Sequence, residues 1–357
     1  MVKRLPVHYN PALDGIRAIA VLLVMAFHPR IPGFKGGFIG VDMFFVLSGF
    51  LITHLLMEER RRSGSIDLPG FYIRRFWRLT PPLLLMVVGY VIGLTIFFEK
   101  FSVTYIRDSL LALFYLSDYS KAFFSKPGFL THTWSLSVEV HFYLLWPFAL
   151  LAVLRPCRQW QPALILFLLW VMAIAWRWYC LAEGQRWGMV YFRFDTRISG
   201  LILGALLAYL TSMRMPRFHP RVMDALGTLA LGVIAVSVME WRFRDEGALE
   251  YGTGIAELAT VALLLVALTP ASWLNRLLST GPMTYIGRLS YGMYLWHYPA
   301  MYYMRKKLQW QETFIYGSLI ASIAAAISYH LMEQRISHWR RKRASRLEEI
   351  TQTIPAG

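Results

Sequence analysis

Several groups of ionisable residues in this chain sit within or beside long apolar stretches, where charge is costly and tends to line a functional cavity. The first is Leu13-Asp14-Gly15-Ile16-Arg17, followed after an apolar run by Phe27-His28-Pro29. Arg17 and His28 are eleven positions apart. At about 100° per residue, a helix carries both on nearly one face, separated by about 16 Å along its axis. Asp14, three residues before Arg17, is placed to pair with it. A headgroup anchor at Arg17 and a plain span end at His28 are the non-chemical alternatives for the same residues.

The next stretch reads Gly36-Gly37-Phe38-Ile39-Gly40-Val41-Asp42, ending Leu47-Ser48-Gly49. Asp42 and Gly49 share a helical face, so a neighbouring helix can approach near the acid. A packing seam with Asp42 paired to a base is the alternative to a catalytic carboxylate. Arg75 and Arg78, in Arg74-Arg75-Phe76-Trp77-Arg78, lie three apart on one face. Such a fork suits phosphate, because each guanidinium presents several fixed donors, although loop topology alone would also place arginines here.

Further on, Trp134-Ser135-Leu136-Ser137-Val138-Glu139-Val140-His141 puts Ser135 and Glu139 on one helical face, with His141 pointing elsewhere. A carboxylate one turn into a span needs a partner or a water cavity, and His28 is a geometrically allowed one. A metal held by His132, Glu139 and His141 does not match a helical ligand spacing, so no metal is expected. Arg193-Phe194-Asp195-Thr196-Arg197 reads as a structural salt bridge to Asp195. Tyr291-Gly292-Met293-Tyr294-Leu295-Trp296-His297-Tyr298-Pro299 resembles an interfacial aromatic belt, but His297 lies too centrally for that.

The elements that must position these residues are membrane helices. Of 357 residues 56% are hydrophobic and 16% charged, below the roughly 25% charged residues of soluble domains. Apolar runs of spanning length recur along the chain, and no polar stretch is long enough for a separate soluble domain. Ten transmembrane helices are expected, at about 14–28, 37–57, 80–98, 134–154, 162–181, 191–211, 224–240, 254–270, 283–304 and 313–334. Tyr105–Tyr119 is apolar but short, and an interfacial or re-entrant helix suits it better than another span. The predicted fold is therefore an all-α polytopic helix bundle, with residues 1–336 forming the membrane domain and 337–357 a basic cytoplasmic tail. With both termini cytoplasmic, the inner loops hold about 20 Lys/Arg and the outer ones about 12.

The formal net charge of +16 does not imply nucleic acid, because the bases gather beside the apolar spans, which favours the lipid bilayer as partner. Cys157 and Cys180 form neither a CxxC pair nor a disulfide framework. The run 18–27 is followed by His28-Pro29-Arg30 rather than a small-x-small cleavage site, so it reads as a retained first span.

Taken together, these motifs resemble the acyltransferase-3 family of membrane O-acyltransferases. The likeness rests on Arg17 and His28, on Gly40-Val41-Asp42 with Ser48-Gly49-Phe50, on Arg75-Phe76-Trp77-Arg78, on Trp134 to Glu139, and on Tyr294-Leu295-Trp296-His297. It implies transfer of an acyl group, usually acetyl, from cytoplasmic acyl-CoA to a hydroxyl of an extracytoplasmic glycan or glycolipid, in a bacterial inner membrane. Many members also carry a C-terminal hydrolase-like domain, and the short stretch after the last expected span departs from that pattern. Under this resemblance Arg17, Arg75 and Arg78 are the expected clamps for acetyl-CoA, and the pantetheine arm runs along the first span towards His28. His28 is the expected general base, oriented by Glu139 or Asp42, with an acyl-histidine as the variant mechanism. Trp134, Ser135, Arg197, Tyr294 and His297 are expected to bind substrate. The rivals are a transporter or flippase, which also uses intramembrane His, Asp and Glu, and a scaffold subunit of a glycan-assembly complex.

Overall fold

The structure is a computed structural model describing residues 9–98, 103–155, 158–213, 218–336 and 339. Cys157 and, apart from Trp339, the expected tail 337–357 lie outside the described residues. Among the described residues the fold is entirely helical. The chain runs through α1 (Pro11–Phe27), α2 (Gly40–Ser63), α3 (Leu68–Phe98), α4 (Val103–Leu113) and α5 (Ser117–Phe124). It continues with α6 (Trp134–Val153), α7 (Gln161–Ala182), α8 (Trp187–Phe192), α9 (Phe194–Arg197) and α10 (Ser199–Met213). The last third comprises α11 (Pro220–Glu240), α12 (Thr253–Ala267), α13 (Trp273–Leu278), α14 (Gly281–Met304) and α15 (Trp310–Ser328).

Each expected span falls on helix, and among the described residues 7 helical segments are long and apolar enough to cross a membrane. Two boundaries differ from expectation. The third helix starts at Leu68 rather than near residue 80, so Arg75 and Arg78 belong to the helix itself and not to the loop before it. The sixth expected span begins with the short helices α8 and α9, and only α10 is a continuous apolar helix there. Arg193 is extended, with ψ of 143°, which breaks the helix between them.

The bundle is lined outside by exposed apolar side chains, such as Leu84, Val88 and Ile92 on α3 and Leu144, Leu145 and Phe148 on α6. That inversion of the soluble pattern suits a lipid solvent. Its core is a seam between α2 and α10, one of the most extensive helix contacts. A Cβ added at Gly49 would collide with the carbonyl oxygen of Leu201, and one at Gly204 with that of Val46. Only glycine permits this backbone approach, in the manner of small-residue seams in membranes.

Residues 103–124 form a helical hairpin that enters the bundle and turns back. Tyr105 on α4 packs against Tyr90 near the far end of α3, with ring centroids 6.2 Å apart. At the hairpin tip, the Tyr115 hydroxyl lies 3.3 Å from that of Thr80, ten residues earlier on α3. The 11 residues of α4 span about 16 Å, half a hydrocarbon core. The backbone at the tip is satisfied from inside the protein, where the Ser117 amide donates to Ser137 Oγ at 3.1 Å and Thr133 Oγ1 donates to Ser117 Oγ at 2.8 Å. Non-helical backbone at membrane depth requires such protein partners.

Candidate active site

α1 and α14 lie side by side in parallel, and polar groups gather at both ends of the pair. A Cβ at Gly287 on α14 would strike the Asp14 backbone, which places the two helices in close contact at their starts. There Asp14 accepts from Arg17 at 3.2 Å and from the Tyr9 hydroxyl at 2.7 Å, while Arg288 donates to that hydroxyl at 2.9 Å. At the other end, the Arg305 guanidinium reaches the His28 carbonyl at 3.5 Å. Between these ends α14 presents Arg288, Tyr291, Tyr294, Tyr298, Tyr302 and Arg305, spaced three or four apart and thus on one face.

The starting end gathers the guanidinium groups. Arg17, Arg75 and Arg78 lie within electrostatic reach of one another and of Tyr143. Arg17 is held by Asp14, whereas Arg75 pairs with no carboxylate among the described residues and its buried Nε has no partner. Tyr291 donates to the carbonyl of Leu79, next to Arg78, at 2.7 Å and ties α14 to α3 at this level. Just above, Glu139 accepts from Ser48 Oγ at 2.6 Å and from the Tyr143 hydroxyl at 3.3 Å.

The far end gathers imidazoles. His28 caps α1, with its ring centroid 5.0 Å from that of His297 and 4.9 Å from that of Tyr298. His132, in the turn before α6, stacks on Tyr298 at 4.9 Å and meets His297 at 5.8 Å. Tyr294 donates to the His132 carbonyl at 2.9 Å and touches Ser135 Oγ at 2.5 Å. The structure thus brings His28, His297, Tyr294 and Ser135 together, and adds His132 and Tyr298, which were not singled out as site residues. The three-and-four spacing of tyrosines on α14 was the available signal for Tyr298. His132 was considered only as a metal ligand, because it precedes its helix and so shares no helical face with the other site residues.

Two expected partners of His28 are placed elsewhere. Asp42 is 1% exposed and pairs with Arg197, also 1% exposed, at 2.6 Å. Arg197 is further covered by Tyr191, Trp134 and Phe45, with the Tyr191 ring 4.7 Å away. Trp134 and Arg197 therefore belong to this buried ion pair rather than to the imidazole cluster. The expected Arg193–Asp195 bridge is present, and Arg197 points away from it. Glu139 misses His28 because it lies five residues down α6, about 7 Å below the helix start, whereas His28 sits at the far end of α1. His141, the third group of the metal option, pairs with Asp118 at 3.0 Å. Among the described residues no group of three or more His, Cys, Asp or Glu is arranged to hold a metal ion.

Asp42→Ala leaves Arg197 buried without its counter-charge, an effect on the order of 3–5 kcal/mol for buried pairs. The expected result is a lower unfolding midpoint for the purified protein in detergent, largely restored by Asp42→Ala with Arg197→Leu. An unchanged midpoint in the single variant would show that the pair carries no stability.

An all-helical bundle with an apolar exterior, an arginine cluster at one end of α1 and an imidazole cluster at the other is the architecture of a multi-pass membrane protein. The sequence model of the family described as Acyltransferase domain matches residues 10–332, and the chain belongs to that family. It is similar to peptidoglycan O-acetyltransferase OatA of Listeria monocytogenes, with 34% identity over 351 residues, covering 92% of this chain and 56% of that protein. O-acetyltransferase OatA of Staphylococcus aureus is 32% identical over 354 residues, with 92% and 57% covered. The chain thus spans a little over half the length of these relatives. No solved structure matches it significantly. Family and helices together make it a multi-pass bacterial membrane protein.

Proposed function

We infer that this chain moves an acetyl group from acetyl-CoA, bound at the arginine end, to a hydroxyl of a cell-wall glycan or related acceptor reaching the imidazole end. The observation that supports this most is the pair of polar clusters at the two ends of α1, with unpaired Arg75 at one and His28 at the other, linked by the tyrosine stripe of α14. Coenzyme A is a polyanion, so its phosphates stay with Arg17, Arg75 and Arg78 on the cytoplasmic side of the inner membrane, where clustered bases favour orientation. The pantetheine arm is slender enough to follow that stripe past Glu139 and Tyr294. His28 takes the proton of the acceptor hydroxyl as its oxygen bonds to the acetyl carbon. The carbon–sulfur bond breaks, and the proton ends on the thiol of coenzyme A. The relatives named for O-acetylation, one of them of peptidoglycan, support a glycan acceptor.

The test is direct. Purified full chain in detergent should release free thiol from acetyl-CoA, and a muropeptide from digested peptidoglycan should accelerate the release and become acetylated. A protein that releases no thiol with or without acceptor is not this enzyme, and a carrier or scaffold gives that outcome.

A further inference from the structure

The imidazole end contains two ring nitrogens whose protonation is dictated by the backbone. His297 Nδ1 lies 2.6 Å from the Tyr294 carbonyl and 3.2 Å from that of Met293. His132 Nε2 lies 3.1 Å from the Leu295 carbonyl. A carbonyl oxygen only accepts, so each of these nitrogens must carry its hydrogen. A second proton would make each ring a cation. The two rings are 5.8 Å apart, both are buried, and no carboxylate pairs with either among the described residues. Both are therefore neutral, and the remaining nitrogens, His297 Nε2 and His132 Nδ1, carry bare lone pairs.

Those two nitrogens are buried and have no hydrogen-bond partner in the protein. Unmet buried polar atoms are rare and call for an explanation. They sit beside His28 and flank Tyr298, whose ring stacks on His132 at 4.9 Å with planes 24° apart. Nothing in this pair can donate a hydrogen bond inward. A ligand that satisfies both atoms must itself donate a hydrogen bond to each.

We propose that His132 and His297 form the acceptor subsite, taking hydrogen bonds from two hydroxyl or amide hydrogens of one sugar ring, with the reacting hydroxyl directed to His28. This rests on the acyl-transfer reading and adds the acceptor's binding residues and chemistry. The site would prefer a hydroxyl-rich hexose or N-acetylhexosamine ring to any ligand, lipid or ether, that only accepts hydrogen bonds. Each lost hydrogen bond should weaken acceptor binding by about tenfold.

The experiment measures binding of chitobiose and of its per-O-methylated derivative to the purified full chain by saturation-transfer NMR, alongside thiol release from acetyl-CoA. The wild type should bind the hydroxylated sugar at least about tenfold more tightly. His132→Phe and His297→Phe keep the aromatic packing but remove the lone pairs, and should erase that preference. His132→Gln and His297→Gln, whose amide oxygen accepts, should restore part of it, which a purely structural role would not do. Equal binding of the two sugars by the wild type, or binding of neither, overturns the proposal without needing any variant to fold. If thiol is released but sugar selectivity is absent, only the subsite fails. If sugar selectivity follows the histidines but no thiol is released, the acyl-transfer reading fails and the sugar site stands.

Discussion

His28→Ala should lower acetyl transfer to a muropeptide by about 10²–10⁴-fold, the range a positioned general acid–base contributes, while the protein still inserts and purifies as a folded bundle. The expectation follows from position. His28 is the residue where α1 ends, its ring meets both His297 and Tyr298, and it stands on the face that carries Arg17 three turns earlier. His297 and His132 are each fixed in place through one ring nitrogen on a backbone carbonyl, whereas among the described residues neither ring nitrogen of His28 is tied to a carbonyl in this way. The measurement is initial-rate transfer from acetyl-CoA at matched protein amounts, with melting in detergent to check folding. Near-normal transfer by the alanine variant would remove His28 from the chemistry.

The second large effect belongs to the opposite end. Arg75→Ala combined with Arg78→Ala should raise the Kd for acetyl-CoA by about 100-fold, because a charge-assisted hydrogen bond contributes about 1.5–3 kcal/mol, and exposure of Arg78 argues for the lower figure. Arg75 is the sharper probe of the two. It lies partly buried beside Arg17 and Arg78 with no carboxylate to neutralise it among the described residues, an arrangement that is electrostatically unfavourable until an anion arrives. Calorimetric titration of the purified protein with coenzyme A gives the answer, and unchanged affinity would take both residues out of the clamp.

The helices were legible in the sequence because a bilayer demands long apolar runs, and the run 105–119 was legible as too short to cross, although it was read as one helix where the structure has the two helices α4 and α5. The face shared by Arg17 and His28 followed from helix geometry alone, and the same arithmetic would have found the tyrosine stripe of α14. What sequence could not supply were pairings between distant segments. Asp42 and Arg197 are 155 positions apart, and nothing local to either distinguishes a buried ion pair from a catalytic acid. Glu139 failed to reach His28 through helix depth, a quantity that depends on where α6 starts relative to α1. His132 was hidden for another reason, since a single turn carries no periodicity that could mark its side as functional.

The glycine seam between α2 and α10 has an energetic consequence for turnover. Helices whose backbones touch at Gly49 and Gly204 cannot rock or slide past one another without losing that contact. These two helices therefore act as one rigid unit. In the reaction proposed here, the driving force for delivering acetyl across the bilayer resides in the thioester bond itself, so this pair need not move during the cycle.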